Sequence, residues 1–172
     1  FQILPLLMAF LLGLLSFLIG WKLGKNFWVG FWFAFLNYFA GSFGYFGGES
    51  LFWSMQSIST QINPPFALSL IVILFGIWLL ASVKELTKKH IFLLSLLFGI
   101  LINVKVYAGI IILPGLLVYS LLRLFKKDKK PFLIFCGSFV ISAVIFLITN
   151  RDSGNLIIFQ PFWFVHSMIE SP

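Results

Sequence analysis

Apolar residues come in long runs along this chain, separated by short polar punctuation. Residues 3–21 form the first run, closed by Lys22-Leu23-Gly24-Lys25. Residues 27–46 form the second, followed by a longer polar loop over 47–63. The third run, 65–82, starts with proline in its first turn, where the missing N–H costs nothing. It ends at Lys84-Glu85-Leu86-Thr87-Lys88-Lys89-His90. Residues 91–122 are apolar except near their middle, 123–130 are strongly basic, and 131–149 are the last run. Asn150-Arg151-Asp152-Ser153-Gly154-Asn155 follows. Runs of about 17–21 residues have the length of a bilayer-spanning helix. The pattern predicts an all-α, polytopic transmembrane helix bundle, with about four full spans and a hairpin of two short helices.

The hairpin follows from charge. Lys22 and Lys25 mark one basic loop, Lys84, Lys88 and Lys89 a second, and Arg123, Lys126, Lys127, Lys129 and Lys130 a third. Of the 12 basic residues, only Lys105 and Arg151 lie elsewhere. Basic loops stay in the cytoplasm, which places loops 22–25, 84–90 and 123–130 inside and 47–63 and 150–172 outside. Residues 91–122 must then cross an even number of times. A single helix over them would be about 48 Å long at about 1.5 Å per residue and would put its flanking loops on opposite sides. Two arms are therefore predicted, roughly 91–103 and 106–122, with the break at Asn103-Val104-Lys105-Val106-Tyr107. The first arm would be about 20 Å long, leaving Lys105 below the outer surface. Trp21, Trp28 and Trp78 map near the inner interface and Trp53 and Trp163 to outer loops, as interfacial tryptophans do.

Composition narrows the function classes. The 172 residues are 60% hydrophobic, 19% aromatic and 10% charged, with a mean hydropathy of +1.06. Soluble domains are about 45–50% apolar and about 25% charged, and disorder needs the opposite balance. The net charge of +7 is carried by span anchors rather than one folded basic surface, so no nucleic-acid partner is implied; the partner is the lipid bilayer. One Cys and two separated His make neither a disulfide framework nor a metal cluster. No phosphate-binding glycine loop leads into a Lys-Ser/Thr pair, and no Ser–His–Asp pattern appears. No basic segment precedes residues 1–21 and no small-residue cleavage site follows, which argues against a signal peptide. The chain opens on Phe1 and stops inside an amphipathic stretch. It reads as one transmembrane domain over 1–172, an internal fragment of a longer membrane protein.

Three places could carry chemistry. Lys105 at membrane depth costs roughly 2.5–3.5 kcal/mol on insertion scales. Either it meets a phosphate as a point charge or it snorkels to the headgroups. The loop over 48–63 holds one carboxylate, Glu49, among Ser, Thr, Gln, Asn and Trp side chains, including Trp53 and Gln56. It suits a sugar, or it is a polar loop in which Asn63 caps the next helix. The third place is Arg151-Asp152 with the tail over 159–170, read as an amphipathic helix on the outer face. There His166 and Glu170 share one face but lack a third metal ligand.

The order of these features resembles the polytopic GT-C glycosyltransferases, the group of protein O-mannosyltransferases and lipid A aminoarabinose transferase. The likeness runs over about 110 residues. It rests on Asn63-Pro64-Pro65-Phe66-Ala67-Leu68, a short basic loop, Phe98-Gly99-Ile100-Leu101-Ile102-Asn103-Val104-Lys105, Tyr107-Ala108-Gly109-Ile110, Leu113-Pro114-Gly115 and the aromatic segment 159–170. Val104 stands where the family has a Thr before its lysine, and Asn63 where it has an Asp.

The resemblance implies transfer of a sugar from a polyprenyl-phosphate donor on the outer face of a bacterial-type plasma membrane. A carboxylate would activate the acceptor, and a divalent metal or basic residues would stabilise the departing phosphate. Its substrate- and phosphate-binding candidates are Lys105, Tyr107, Asn63, Gln56, Trp53, Arg151 and His166. No metal ligand is assigned. The family's catalytic acid lies in the loop after its first helix, and this chain aligns from the second. The acid is therefore expected upstream of Phe1, with Glu49 as the alternative within the chain. A transporter or flippase, whose broken helices line a substrate path, and a non-catalytic membrane scaffold are the competing readings.

The topology has a direct test. A single cysteine placed at Lys126 or Lys129, with Cys136 replaced by Ser, is expected to resist an impermeant thiol reagent in intact cells and to react after lysis. Labelling in intact cells would invert the assignment.

Overall fold

The computed structural model describes residues 3–39 and 63–149. Over these the chain is helical, in six elements. They are α1 (Ile3–Gly24), α2 (Phe27–Phe39), α3 (Pro64–Ser82), α4 (Lys88–Val104), α5 (Val106–Phe125) and α6 (Lys130–Thr149). Four of them, α1, α3, α5 and α6, are long and apolar enough to cross a membrane. The chain is thus an all-helical, integral-membrane type of protein. Most large side chains that point outward are apolar, such as Phe31, Trp32, Val118, Phe139 and Leu147. Such a surface suits lipid, and helices suit it because they pair their own backbone groups.

Local sequence fixes the element ends. The Asn63 side chain accepts from the N–H of Phe66 at 3.3 Å and caps α3, with prolines in the first turn. Thr87 and His90 form a reciprocal capping box that starts α4, one turn earlier than the apolar run alone suggests. In the α5–α6 turn Asp128 accepts from Arg123 Nη2 at 2.8 Å and from the Lys130 N–H at 3.2 Å. Both tight helix–helix turns place a lysine in the left-handed region, Lys25 at φ 51° and Lys127 at φ 62°.

Helix directions follow from the packing. Ser95 donates to the Ile134 carbonyl at 3.3 Å, and Ser142 to the Gly99 carbonyl at 2.9 Å. Residue numbers rise together along this contact, so α4 and α6 run parallel and α5 returns between them. The hairpin read from the sequence is therefore present, broken at Lys105. Its arms are longer than expected, 17 and 20 residues. α1 and α2 run antiparallel: Asn37 Nδ2 donates to Ser16 Oγ at 2.7 Å, and the Tyr38 hydroxyl donates to the Ala9 carbonyl. The ends of α1 and α3 meet around Trp21, Lys22, Trp78 and Ser82. These directions gather all three basic turns at one end of the bundle. The opposite end holds Asn63, Lys105 and the last turn of α6.

Burial concentrates between α3, α4, α5 and α6, where Leu94, Phe98, Leu101, Ala108, Leu116 and Ile134 form the core. Small residues let the helices approach, as expected where lipid removes much of the hydrophobic drive between helices. A β-carbon at Gly99 would stand 2.7 Å from the Ile141 side chain and 3.2 Å from the Ser138 carbonyl oxygen. Gly115, on α5, has nothing within 4 Å of that position.

These two glycines make a paired stability test. Gly99→Ala is expected to cost about 1–3 kcal/mol, the usual penalty of overpacking. Gly115→Ala should be neutral or gain about 0.5–1 kcal/mol from helix propensity. Reversible unfolding of both variants in mixed micelles, followed by circular dichroism, checks the difference.

Candidate functional site

The α4–α5 break is built on a single residue. Lys105 is extended, at φ −158° and ψ 118°. Its N–H donates to the Leu101 carbonyl at 2.9 Å, closing α4. Its own carbonyl accepts from Ala108 at 3.0 Å and Gly109 at 3.3 Å, opening α5. The flanking Val104 and Val106 are the last residue of α4 and the first of α5, where the modest helix propensity of a β-branched side chain costs little. Gly109 lets α5 fold back closely, since a β-carbon there would lie 3.0 Å from the Ile102 Cα. Chain reversal is thus local in origin and leaves the Lys105 backbone groups paired.

The side chains at this end come from two elements. The Lys105 ammonium lies 5.5 Å from the Tyr107 ring centroid, within cation–π range. The Tyr107 ring lies 6.1 Å from that of Phe66, in the first turn of α3. Two helix N-termini, those of α3 and α5, therefore meet beside one half-buried lysine. Each N-terminus carries roughly half a positive charge and attracts anions. A cation is disfavoured there for the same reason, and among the described residues no carboxylate forms an ion pair with Lys105. An anion seated at this point would relieve that repulsion. The arrangement suits a phosphate or carboxylate, and its described side chains include no carboxylate or imidazole for acid–base work.

Of the sequence candidates, the structure brings together Lys105, Tyr107 and Asn63. The Asn63 carboxamide oxygen already accepts from the Phe66 N–H, so Asn63 supports the site through α3 and retains its Nδ2 donor. Lys105 sits level with the start of α3. This end-of-bundle position follows from the first arm starting at Lys88, which makes it about 25 Å long at about 1.5 Å per residue. Glu49, Trp53, Gln56, Arg151 and His166 lie outside the described residues. No group of three or more His, Cys, Asp or Glu that could hold a metal occurs among the described residues. Sequence reasoning missed the Phe66–Tyr107 contact, because it depends on how α3 and α5 pack. It also missed Asp128, whose spacing of five from Arg123 in a Lys-rich turn was the available signal.

No protein-family model matches the chain, and neither a curated protein nor a solved structure does.

The capping role of Asn63 is separable from a binding role. Asn63→Ala is expected to cost about 1 kcal/mol of stability and Asn63→Ser little, because serine also caps. Thermal unfolding in detergent measures this. An equal loss in both variants would mean that the carboxamide does more than cap.

Proposed function

We propose that this chain is part of a GT-C-type membrane glycosyltransferase, and that Lys105 contacts the phosphate of a polyprenyl-phosphate-linked sugar donor. The observation that carries the reading is the meeting of two helix N-termini at a lysine with no carboxylate partner among the described residues. The order of motifs over residues 63–170 adds the sugar-transfer context. With the three basic turns in the cytoplasm, this end of the bundle faces outward, where a lipid-linked donor would present its sugar. The enclosing membrane is then a bacterial-type plasma membrane.

The chemistry divides between parts. In glycosyl transfer the bond from the sugar's anomeric carbon to the phosphate oxygen breaks, and the phosphate leaves with the electron pair. Lys105 and the α5 N-terminus stabilise that developing charge, the electrostatic contribution that dominates many transfer reactions. The acceptor hydroxyl loses its proton to a carboxylate. That group is sought upstream of Phe1 or at Glu49. Tyr107 fixes the ammonium by cation–π contact, and the loop carrying Trp53 and Gln56 provides an aromatic face and hydrogen-bonding groups for sugar or acceptor. Arg151 and His166 are the corresponding candidates after α6. A divalent metal is compatible with the departing phosphate, but no residue is assigned to it.

The test is Lys105→Gln in the full-length protein, assayed with a polyprenyl-phosphate sugar donor. Losing one charge-assisted contact worth about 1.5–3 kcal/mol should lower kcat/KM and donor affinity by about 10–150-fold. Lys105→Arg should recover part of it. Unchanged transfer and donor binding would remove the phosphate role. Movement of the lipid donor across the bilayer with no bond broken would favour a flippase instead.

A further inference from the structure

A second cationic site lies at the opposite end of the bundle. A cavity of about 460 Å³ opens between the ends of α1 and α3, lined by Leu18, Trp21, Lys22, Lys25, Trp78 and Ser82. Its walls are held from behind. The Trp21 ring packs on Phe17 with centroids 5.9 Å apart, and Trp78 stacks on Phe75 at 6.0 Å. The backbone holds Lys25 in the left-handed region at φ 51°, and the next residue, Asn26, accepts from the Trp28 N–H at 2.9 Å. Lys25 is thus locked into the turn rather than left on a free loop.

The charge balance points to an anion. Two helix C-termini each contribute roughly half a negative charge, which leaves about one positive charge of the two lysines uncompensated. Glu85, the described carboxylate of the neighbouring turn, makes no ion pair with either lysine. The cavity combines cations, a hydroxyl donor and two indoles with an apolar floor at Leu18. The two helices that flank it are long and apolar enough to span a membrane. Basic pockets between spanning helices bind anionic headgroups, and indoles favour the headgroup level.

We infer that this cavity binds the phosphate of an anionic phospholipid headgroup, with Lys22, Lys25 and Ser82 on the phosphate and Trp21 and Trp78 beside the glycerol and first acyl carbons. The site is distinct from Lys105 and stands whether or not the chain transfers sugars. A lipid here would pin α1 to α3, two helices whose order in the sequence is interrupted by α2.

The experiment uses full-length protein in detergent, titrated with phosphatidylglycerol or phosphatidylcholine and read by native mass spectrometry. Phosphatidylglycerol should be retained over phosphatidylcholine. The Lys22→Gln/Lys25→Gln variant should bind it about 25-fold more weakly, at about fivefold per lysine. The Lys126→Gln/Lys127→Gln variant removes the same charge elsewhere at this end and should stay within about twofold of the parent. An equal loss in both variants, or equal retention of the two lipids, would overturn the assignment. Millimolar inorganic phosphate should not displace the lipid; displacement would show a site for free phosphate and sink the lipid reading.

Discussion

The whole arrangement depends on the chain reversing direction at one residue without stranding its backbone groups. An unpaired N–H or carbonyl in an apolar environment costs several kcal/mol. Lys105 avoids this because its N–H still closes α4 and its carbonyl still opens α5. The reversal brings α4 and α6 side by side in parallel, and Ser142 can then reach the Gly99 carbonyl. The same reversal returns the basic turn at Arg123–Asp128 to the end already occupied by the other two. Had the helix run on, the two basic turns flanking α4 and α5 would lie on opposite sides.

Charge and helix polarity are then distributed unequally. At the basic end, Lys22 and Arg123 lie in the last turns of α1 and α5, where helix dipoles favour cations. At the other end, Lys105 stands at an N-terminus, where the dipole opposes it. Lys25, between the end of α1 and the start of α2, lacks the dipole support of Lys22 and lines a cavity with it that an anion could enter. Lys105 pays for its position unless something negative sits nearby.

Much of the fold was legible. The spans starting at Ile3, Pro64 and Lys130 were visible because apolar runs and basic punctuation are one-dimensional signals; the run over 27–46 is described only as the 13-residue α2, and its end lies outside the described residues. Even the break at Lys105 followed from counting charges on either side of residues 91–122. Asn63 as a helix cap was readable from its place before two prolines. Arm lengths were misjudged because Lys88 and Lys89 look like loop, while the Thr87–His90 capping box makes them the first turn of α4. The pairing of Tyr107 with Phe66 and the cavity between α1 and α3 were not readable. Both join residues more than forty positions apart, and hydropathy does not encode which helices pack together.

The small residues explain how such a polar constellation is tolerated. Among the described residues six serines are buried, and each that bonds within its own helix, such as Ser138 to the Ile134 carbonyl, is satisfied locally. The cross-helix bonds of Ser95 and Ser142 add specificity more than energy, since such bonds average only about 0.6 kcal/mol in a membrane protein. Packing at Gly20, Gly76 and Gly99 brings neighbouring helices within side-chain or backbone contact. These contacts set the α1–α2, α3–α4 and α4–α6 spacings, on which the two cationic ends are built. The glycines thus set how closely the helices that carry Lys22 and Lys105 approach their neighbours.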